Sequence, residues 1–235
     1  NRFISERVNQ LRNWNIDFIH GDILDKDLIY KYCKDADVVH HLAGVTEVPR
    51  VKSESSEEKD KKINLVAEKG TQNILDSISQ KCKIIFPSTH VVFEGIEKVK
   101  NDILEEEETN PILSYANSKA INEKQIRNSG KNYIILRLGS VYGYSLDTAR
   151  IDIMPNLFSK IASQNGTLKL FAGGKQLKSL VPLIDVARCF KFMEEREDIS
   201  SELFNLTKDT VTVKDVAKMC KKYNPKITLR ETNDE

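Results

Sequence analysis

At 235 residues and 40% hydrophobic content, the chain can bury one sizeable core and a small second lobe. A formal charge of +1, with both signs interspersed, gives no electrostatic case for nucleic acid or an anionic membrane as partner. No apolar run approaches the ~18 residues of a membrane-spanning helix, and no signal peptide is visible. The four cysteines (Cys33, Cys82, Cys189, Cys220) are scattered and form no C-x-x-C, which reads as reduced structural thiols in a cytoplasmic protein.

Residues 1–15 are patterned as a helix, with Phe3, Val8, Leu11 and Trp14 at three- and four-residue spacing. Ile16–His20 reads as a strand ended by Gly21-Asp22, and Asp25–Lys34 as a short helix. Asp37–Gly44 has the form of a buried parallel strand running into a glycine. Its adjacent His40 and His41 point to opposite faces of a strand and have no ligand-spaced partner, so no metal site is expected. The charged stretch 50–62 reads as a loop or exposed helix start. Ile63, Val66, Ile74, Leu75 and Ile78 then mark a long amphipathic helix.

Lys83–Phe86 is the next strand and delivers Ser88 and Thr89 at its carboxyl end. An acidic run, Glu105–Glu108, precedes a helix ending near Gly130, and Tyr133–Leu138 is a further buried strand. Strand and helix thus alternate to about residue 145, the pattern of βαβ units in a parallel sheet covered on both faces. In such sheets ligands lie beyond the carboxyl ends of the strands, where Gly44, Ser88, Thr89 and Ser140 fall. Further on, the expected elements are a helix over 151–164, a strand over 168–171, a turn at Gly173-Gly174 and a helix from Val181–Ala187 to near Arg196. A strand at 203–206, a helix over 213–223 and a strand at 227–229 complete the pattern.

Tyr115-Ala116-Asn117-Ser118-Lys119 is the stretch with the clearest chemical content. Residues i and i+4 share a helix face, so the phenol and the ammonium point the same way. A phenol ionises near pH ~10 on its own, and a nearby cation favours the ionised form, which makes a general base for a substrate hydroxyl. The motif is short enough to arise by chance. A second copy, Tyr30–Lys34, has no Ser-Thr strand end ahead of it and reads as surface. Taken alone, Tyr115 and Lys119 fit a solvated helix face as well as an acid–base pair.

Context separates the two. Gly21–Asp25, His41–Gly44, Gly70–Leu75, Ser88–Phe93, Tyr115–Lys119, Leu136–Gly143, Val181–Ala187 and Asn205, in this order and spacing, resemble the extended short-chain dehydrogenase/reductase family of NAD-dependent sugar epimerases and dehydratases. The resemblance implies a Rossmann-like doubly wound parallel α/β sheet with a smaller C-terminal substrate-binding lobe. Residues 1–145 would form the dinucleotide-binding domain, with 181–206 returning to it, and 146–180 and 207–235 the lobe. It further implies NAD (or NADP) as cofactor, a nucleotide sugar as substrate and a homodimer. By the same resemblance Tyr115 is the acid/base and Lys119 the cation that supports it and holds the nicotinamide ribose. Thr89 binds the reacting sugar oxygen, with Ser88 supporting. Asp22 and Ile23 touch adenine, Ala43 and Gly44 line the dinucleotide, and Ser140 falls among the substrate contacts. Lys178 stands near the family's basic contact to the substrate diphosphate; an ordinary surface lysine is the alternative.

The sequence also departs from the family. The G-x-x-G-x-x-G phosphate loop is absent, with the first β-α-β of the sheet, so the chain reads as an N-terminally truncated fragment, expected to bind NAD(H) weakly. Ala67, Ser140 and Pro182 replace common family residues. Family dehydratases carry Asp-Glu directly after the threonine, and decarboxylases a Glu two residues after it; here those positions are His90 and Val91. Valine transfers no proton, so oxidation and re-reduction at one carbinol remains, most simply a 4-epimerase. Val92–Gly95 resembles dehydrorhamnose reductases, which keeps a one-way reductase as the alternative. A dinucleotide-binding member without turnover is the third reading.

Overall fold

A computed structural model describes residues 2–45, 56–145 and 150–232. In chain order these form α1 (Arg2–Asn13), α2 (Lys26–Cys33), β1 (Val38–His40), α3 (Glu57–Ser77), β2 (Lys83–Thr89), α4 (Ser114–Asn128), β3 (Asn132–Leu138), β4 (Ser140–Tyr142), α5 (Met154–Ser163), β5 (Thr167–Leu170), β6 (Leu177–Pro182), α6 (Leu183–Glu195), β7 (Glu202–Leu206), β8 (Asp209–Thr212), α7 (Val213–Tyr223) and β9 (Thr228–Glu231). Short 3₁₀ turns lie at His90–Phe93 and Phe171–Gly174. The chain divides into two compact units, one of His20–Leu138 with Arg188–Leu206, the other of the remaining residues.

The first unit is built on a parallel sheet in the order β1-β2-β3-β7. Strand side chains alternate between faces, so an unbroken apolar strand demands cover on both. Lys83–Thr89 meets that demand. Ile84 and Phe86 join Ile74, Leu75, Ile78, Ile126 and Ile135 on the face covered by α3 and α4, while Ile85 joins Ile134, Leu136 and Met193 on the face covered by α6. The α3 helix starts where Ser56 accepts a hydrogen bond from the Lys59 N–H, with Glu57, Glu58 and Asp60 in its first turn, where the helix dipole favours negative charge. Buried Lys83 caps the C-terminal end of α6, its Nζ donating to the carbonyls of Met193 and Arg196.

The order of strands explains one chemical detail. Residues two apart on a strand turn their backbone groups to the same side. The carbonyl of Ile85 accepts from His41 N at 2.9 Å, and there the pairing with β1 ends. Pro87 therefore sits where no N–H is needed, and its carbonyl is left for a side chain to take.

Two expectations for the early part of the chain fail. Ile16–His20 is not a strand: it forms no ladder among the described residues, and Ile16, Phe18 and Ile19 are 46%, 40% and 50% exposed. Apolar alternation suffices for a strand only when a neighbour supplies hydrogen bonds, and none is placed beside it. The predicted buried strand Asp37–Gly44 shortens to β1, half-buried because it pairs on one side only.

In the second unit β4 and β6 run parallel and β6 pairs antiparallel with β8. A separate parallel pair, β5 and β9, packs with α5 and α7 around Phe158, Leu168, Leu170, Ala217 and Ile227. The α7 helix begins with a reciprocal capping box between Thr212 and Asp215.

Candidate active site

Thr89 ends β2 and caps the 3₁₀ turn that follows, its Oγ1 accepting from the Val91 N–H at 3.4 Å. Helix α4 packs on β2 and on that turn. Tyr115 is its second residue and Lys119 lies one turn along, so the expected shared face is present. Lys119 Nζ donates to the Pro87 carbonyl at 2.8 Å and lies 4.4 Å from the centroid of Phe86 and 6.0 Å from that of Tyr115. Burial pulls the Lys119 pKa down to about 8, against the opposing pull of Glu123 one turn further on. The group is still a cation at neutral pH, poorly hydrated, with one of its three N–H donors placed on Pro87. Its charge is therefore felt strongly by its neighbours.

Beneath this pair lies a buried ionic network that sequence reasoning did not identify. Glu123 receives both Nε and Nη2 of Arg137, at 3.0 Å to Oε1 and 2.7 Å to Oε2, and Ser88 Oγ also donates to Glu123 Oε1. Arg137 Nη1 donates to the Glu105 carbonyl at 3.0 Å, and the guanidinium lies 4.9 Å from the Phe93 ring centroid. The network fixes the end of β2 against α4 and β3. The Ser88 hydroxyl is directed into it and buried, so Ser88 acts here on position.

His41 and His40 diverge. His40 faces Glu194 at 3.3 Å and packs on Phe190, while buried His41 joins Thr71 Oγ1 through Nε2 at 2.8 Å and packs on Phe86. Burial first, and the Lys119 charge second, push the His41 pKa down to about 4, and its Nδ1 is buried with no hydrogen-bond partner among the described residues. A histidine whose folded pKa lies below its unfolded value near 6.5 is protonated first in the unfolded chain, so stability falls as pH drops from about 6.5 towards 4. From pH 7 to pH 5 the loss is expected to be about 2 kcal/mol. Urea unfolding at the two pH values checks this; His41→Gln removes the dependence, and equal pH dependence in both proteins contradicts it.

Asp22 accepts from Leu24 N at 2.9 Å and is exposed; Ile23 offers its carbonyl to Asn73 at 3.0 Å and its side chain to Gly70, where an added Cβ would come within 2.9 Å of Ile23 Cγ2. Ala43 and Gly44 lie exposed beyond the carboxyl end of β1, with no atom of the described residues within 4 Å of where a Gly44 side chain would begin. These residues and the Thr89, Tyr115 and Lys119 group belong to one unit. Ser140, on β4 opposite Leu180, and exposed Lys178, on β6 opposite Val211, belong to the other. The second Tyr-Lys copy is on the surface, with Tyr30 54% exposed. The cysteines are free thiols, and no described helix is long and apolar enough to cross a membrane.

A parallel sheet covered on both faces, with hydroxyl and cationic side chains gathered at its carboxyl ends, defines an α/β protein of the Rossmann type. The chain belongs to the NAD dependent epimerase/dehydratase family, whose sequence model matches residues 2–207. It is 28% identical over 213 residues to the UDP-N-acetyl-alpha-D-glucosaminuronate decarboxylase of Bacillus cytotoxicus, covering 86% of this chain and 64% of that relative's length. Among solved structures it resembles the UDP-glucuronic acid 4-epimerase of Bacillus cereus in complex with UDP-glucuronic acid and NAD. The TM-score is 0.78 at 22% identity, over 98% of this chain and 74% of that one. It also resembles the UDP-glucose 4-epimerase of Thermotoga maritima with UDP-glucose, with TM-score 0.75 at 20% identity over 94% and 72% of the two chains. At these identities the structures show a shared fold.

Proposed function

We propose that this chain acts in an NAD(P)-dependent nucleotide-sugar epimerase, with Tyr115 as the acid/base. The observation that carries the reading is the partly desolvated Lys119 cation, held by the Pro87 carbonyl on the helix face that bears Tyr115, beside the strand end that bears Thr89. Tyr115 takes the proton from a substrate hydroxyl as the carbon beneath it becomes a ketone, and returns it after the sugar turns its other face. Thr89 holds the reacting oxygen, and Lys119 favours the ionised phenol. On the second unit, Ser140 and Lys178 are assigned to the substrate, Lys178 as a point charge for its diphosphate.

The described residues fit a dinucleotide in part: Ala43 and Gly44 are exposed beyond β1, Asp22 and Ile23 belong to the same unit, and Lys119 has N–H donors besides the one on Pro87. Bound there, the nicotinamide supplies hydride acceptance and return; the protein supplies orientation and proton transfer. A cytoplasmic homodimer is part of the same proposal.

Although the B. cytotoxicus relative is named a decarboxylase, the apolar Val91 and the His90 beside it favour simple epimerisation here. Because NAD(H) is expected to bind weakly, incubation with a large excess of NAD and UDP-glucose, UDP-glucuronic acid or UDP-N-acetylglucosamine is the test, and a 4-epimer with no net change in NADH is the expected result. Net NAD(P)H consumption would support a reductase instead, and carbon dioxide release a decarboxylase.

A further inference from the structure

Thr89 and Tyr115 are separated by a long irregular stretch, so neither strand nor helix alone fixes the phenol against the hydroxyl. The Ser88–Glu123–Arg137 network holds the end of β2 against the body of α4, and a second connection, a small clasp, joins the turn after Thr89 to the start of that helix. Glu94 terminates the 3₁₀ turn that Thr89 begins, and its Oε1 accepts from Ile112 N at 2.8 Å and Leu113 N at 2.6 Å, the two residues that lead into α4. Leu113 occupies the N-cap of α4 and offers no side-chain acceptor there. A carboxylate at this end is also favoured by the helix dipole. Around it Asn110 N donates to the Val92 carbonyl and Gly95 N to the Asn110 carbonyl, both at 2.8 Å, while Asn110 Nδ2 returns a bond to the Gly95 carbonyl at 2.9 Å. The two arms lie so close that a side chain on Gly95 would meet Asn110 O at 2.5 Å.

We propose that Glu94 is a positioning residue that sets the Tyr115 phenol against the Thr89 hydroxyl, one carboxylate oxygen tying the end of the turn that Thr89 begins to the start of the helix that bears Tyr115. The proposal rests on the acid–base reading of Tyr115 above. Glu94 touches neither substrate nor cofactor in it. Its effect is on the geometry of proton transfer, where a displacement of about 1 Å is enough to lower the rate ~100-fold.

The test is steady-state kinetics of the protein with NAD and the UDP-sugar it turns over. Glu94→Ala is expected to lower kcat by about 10- to 100-fold while KM for the sugar nucleotide stays within about threefold, since binding groups are untouched. Glu94→Gln keeps a carbonyl oxygen for both N–H donors and is expected to restore kcat to within about threefold of the unsubstituted protein. Glu94→Asp keeps the charge but falls one methylene short, and its kcat is expected to stay at least about tenfold down. Should Glu94→Ala fail to fold, the Asp and Gln pair carries the comparison. Unchanged kcat in Glu94→Ala or Glu94→Asp, beside an inactive Tyr115→Phe, overturns the role of Glu94 alone. Full kcat in Tyr115→Phe overturns the acid–base reading and this proposal together.

Discussion

Arg137→Met is expected to destabilise the protein by about 3–5 kcal/mol, among the largest losses any single substitution outside the apolar core would produce. Glu123 and Arg137 are 4% and 3% exposed, and the guanidinium meets the carboxylate through two parallel hydrogen bonds. Removing the cation leaves a buried carboxylate whose remaining donor is Ser88. That charge is then left buried with its main partner gone. The exposed pair Arg196–Asp198 is also bidentate, yet water screens it, and its loss is expected to matter far less. Urea unfolding with an unchanged m-value measures both. The double variant Arg137→Met with Glu123→Leu should recover much of the loss, since the pair repays its desolvation only while both partners remain. A loss below about 1 kcal/mol in Arg137→Met would show that the pair is not buried as described.

That network also marks how far the sequence could be read. The apolar runs of β2 and β3, the long α3 and α7 all announce themselves through their apolar pattern, because each buries a face decided by its own residues. Lys119 and Glu123 are one turn apart, so their shared helix face was legible. Arg137, within the apolar run Tyr133–Leu138, was a buried charge in need of a partner. What could not be read was which partner, because the answer depends on β2, β3 and α4 meeting. The hold of Pro87 on Lys119 is less legible still, since it exists because β1 stops pairing two residues earlier. The small sheet of β4, β6 and β8 escaped notice for the same reason: Ser140–Tyr142 and Asp209–Thr212 are short and mixed in polarity, and only their pairing makes them strands. Ile16–His20 errs in the opposite direction. Its alternation satisfies the local rule for a strand, and no neighbour is placed to complete it.

Tyr115→Phe is expected to lower kcat by about 10²- to 10⁴-fold, the range associated with loss of a positioned acid/base. The substitution removes one oxygen and leaves the ring, so the Lys119 cation near that ring and the Lys119–Pro87 bond are retained. Affinity for the sugar nucleotide is expected to change little, which separates a lost proton-transfer step from a lost contact: kcat and kcat/KM fall together. The second Tyr-Lys pair supplies an internal control. Lys34 Nζ lies 5.8 Å from the Tyr30 ring centroid, nearly the distance found between Lys119 and Tyr115, yet both Tyr30 and Lys34 face water. In water the Coulomb term between a cation and a developing phenolate is several-fold weaker than in a desolvated site. Tyr30→Phe is therefore expected to leave kcat unchanged. If Tyr115→Phe stays within tenfold of the unsubstituted protein, the proton must be moved by another group. Spacing of four residues on a helix would then have the same meaning at Tyr115 as at Tyr30, a solvated face and nothing more.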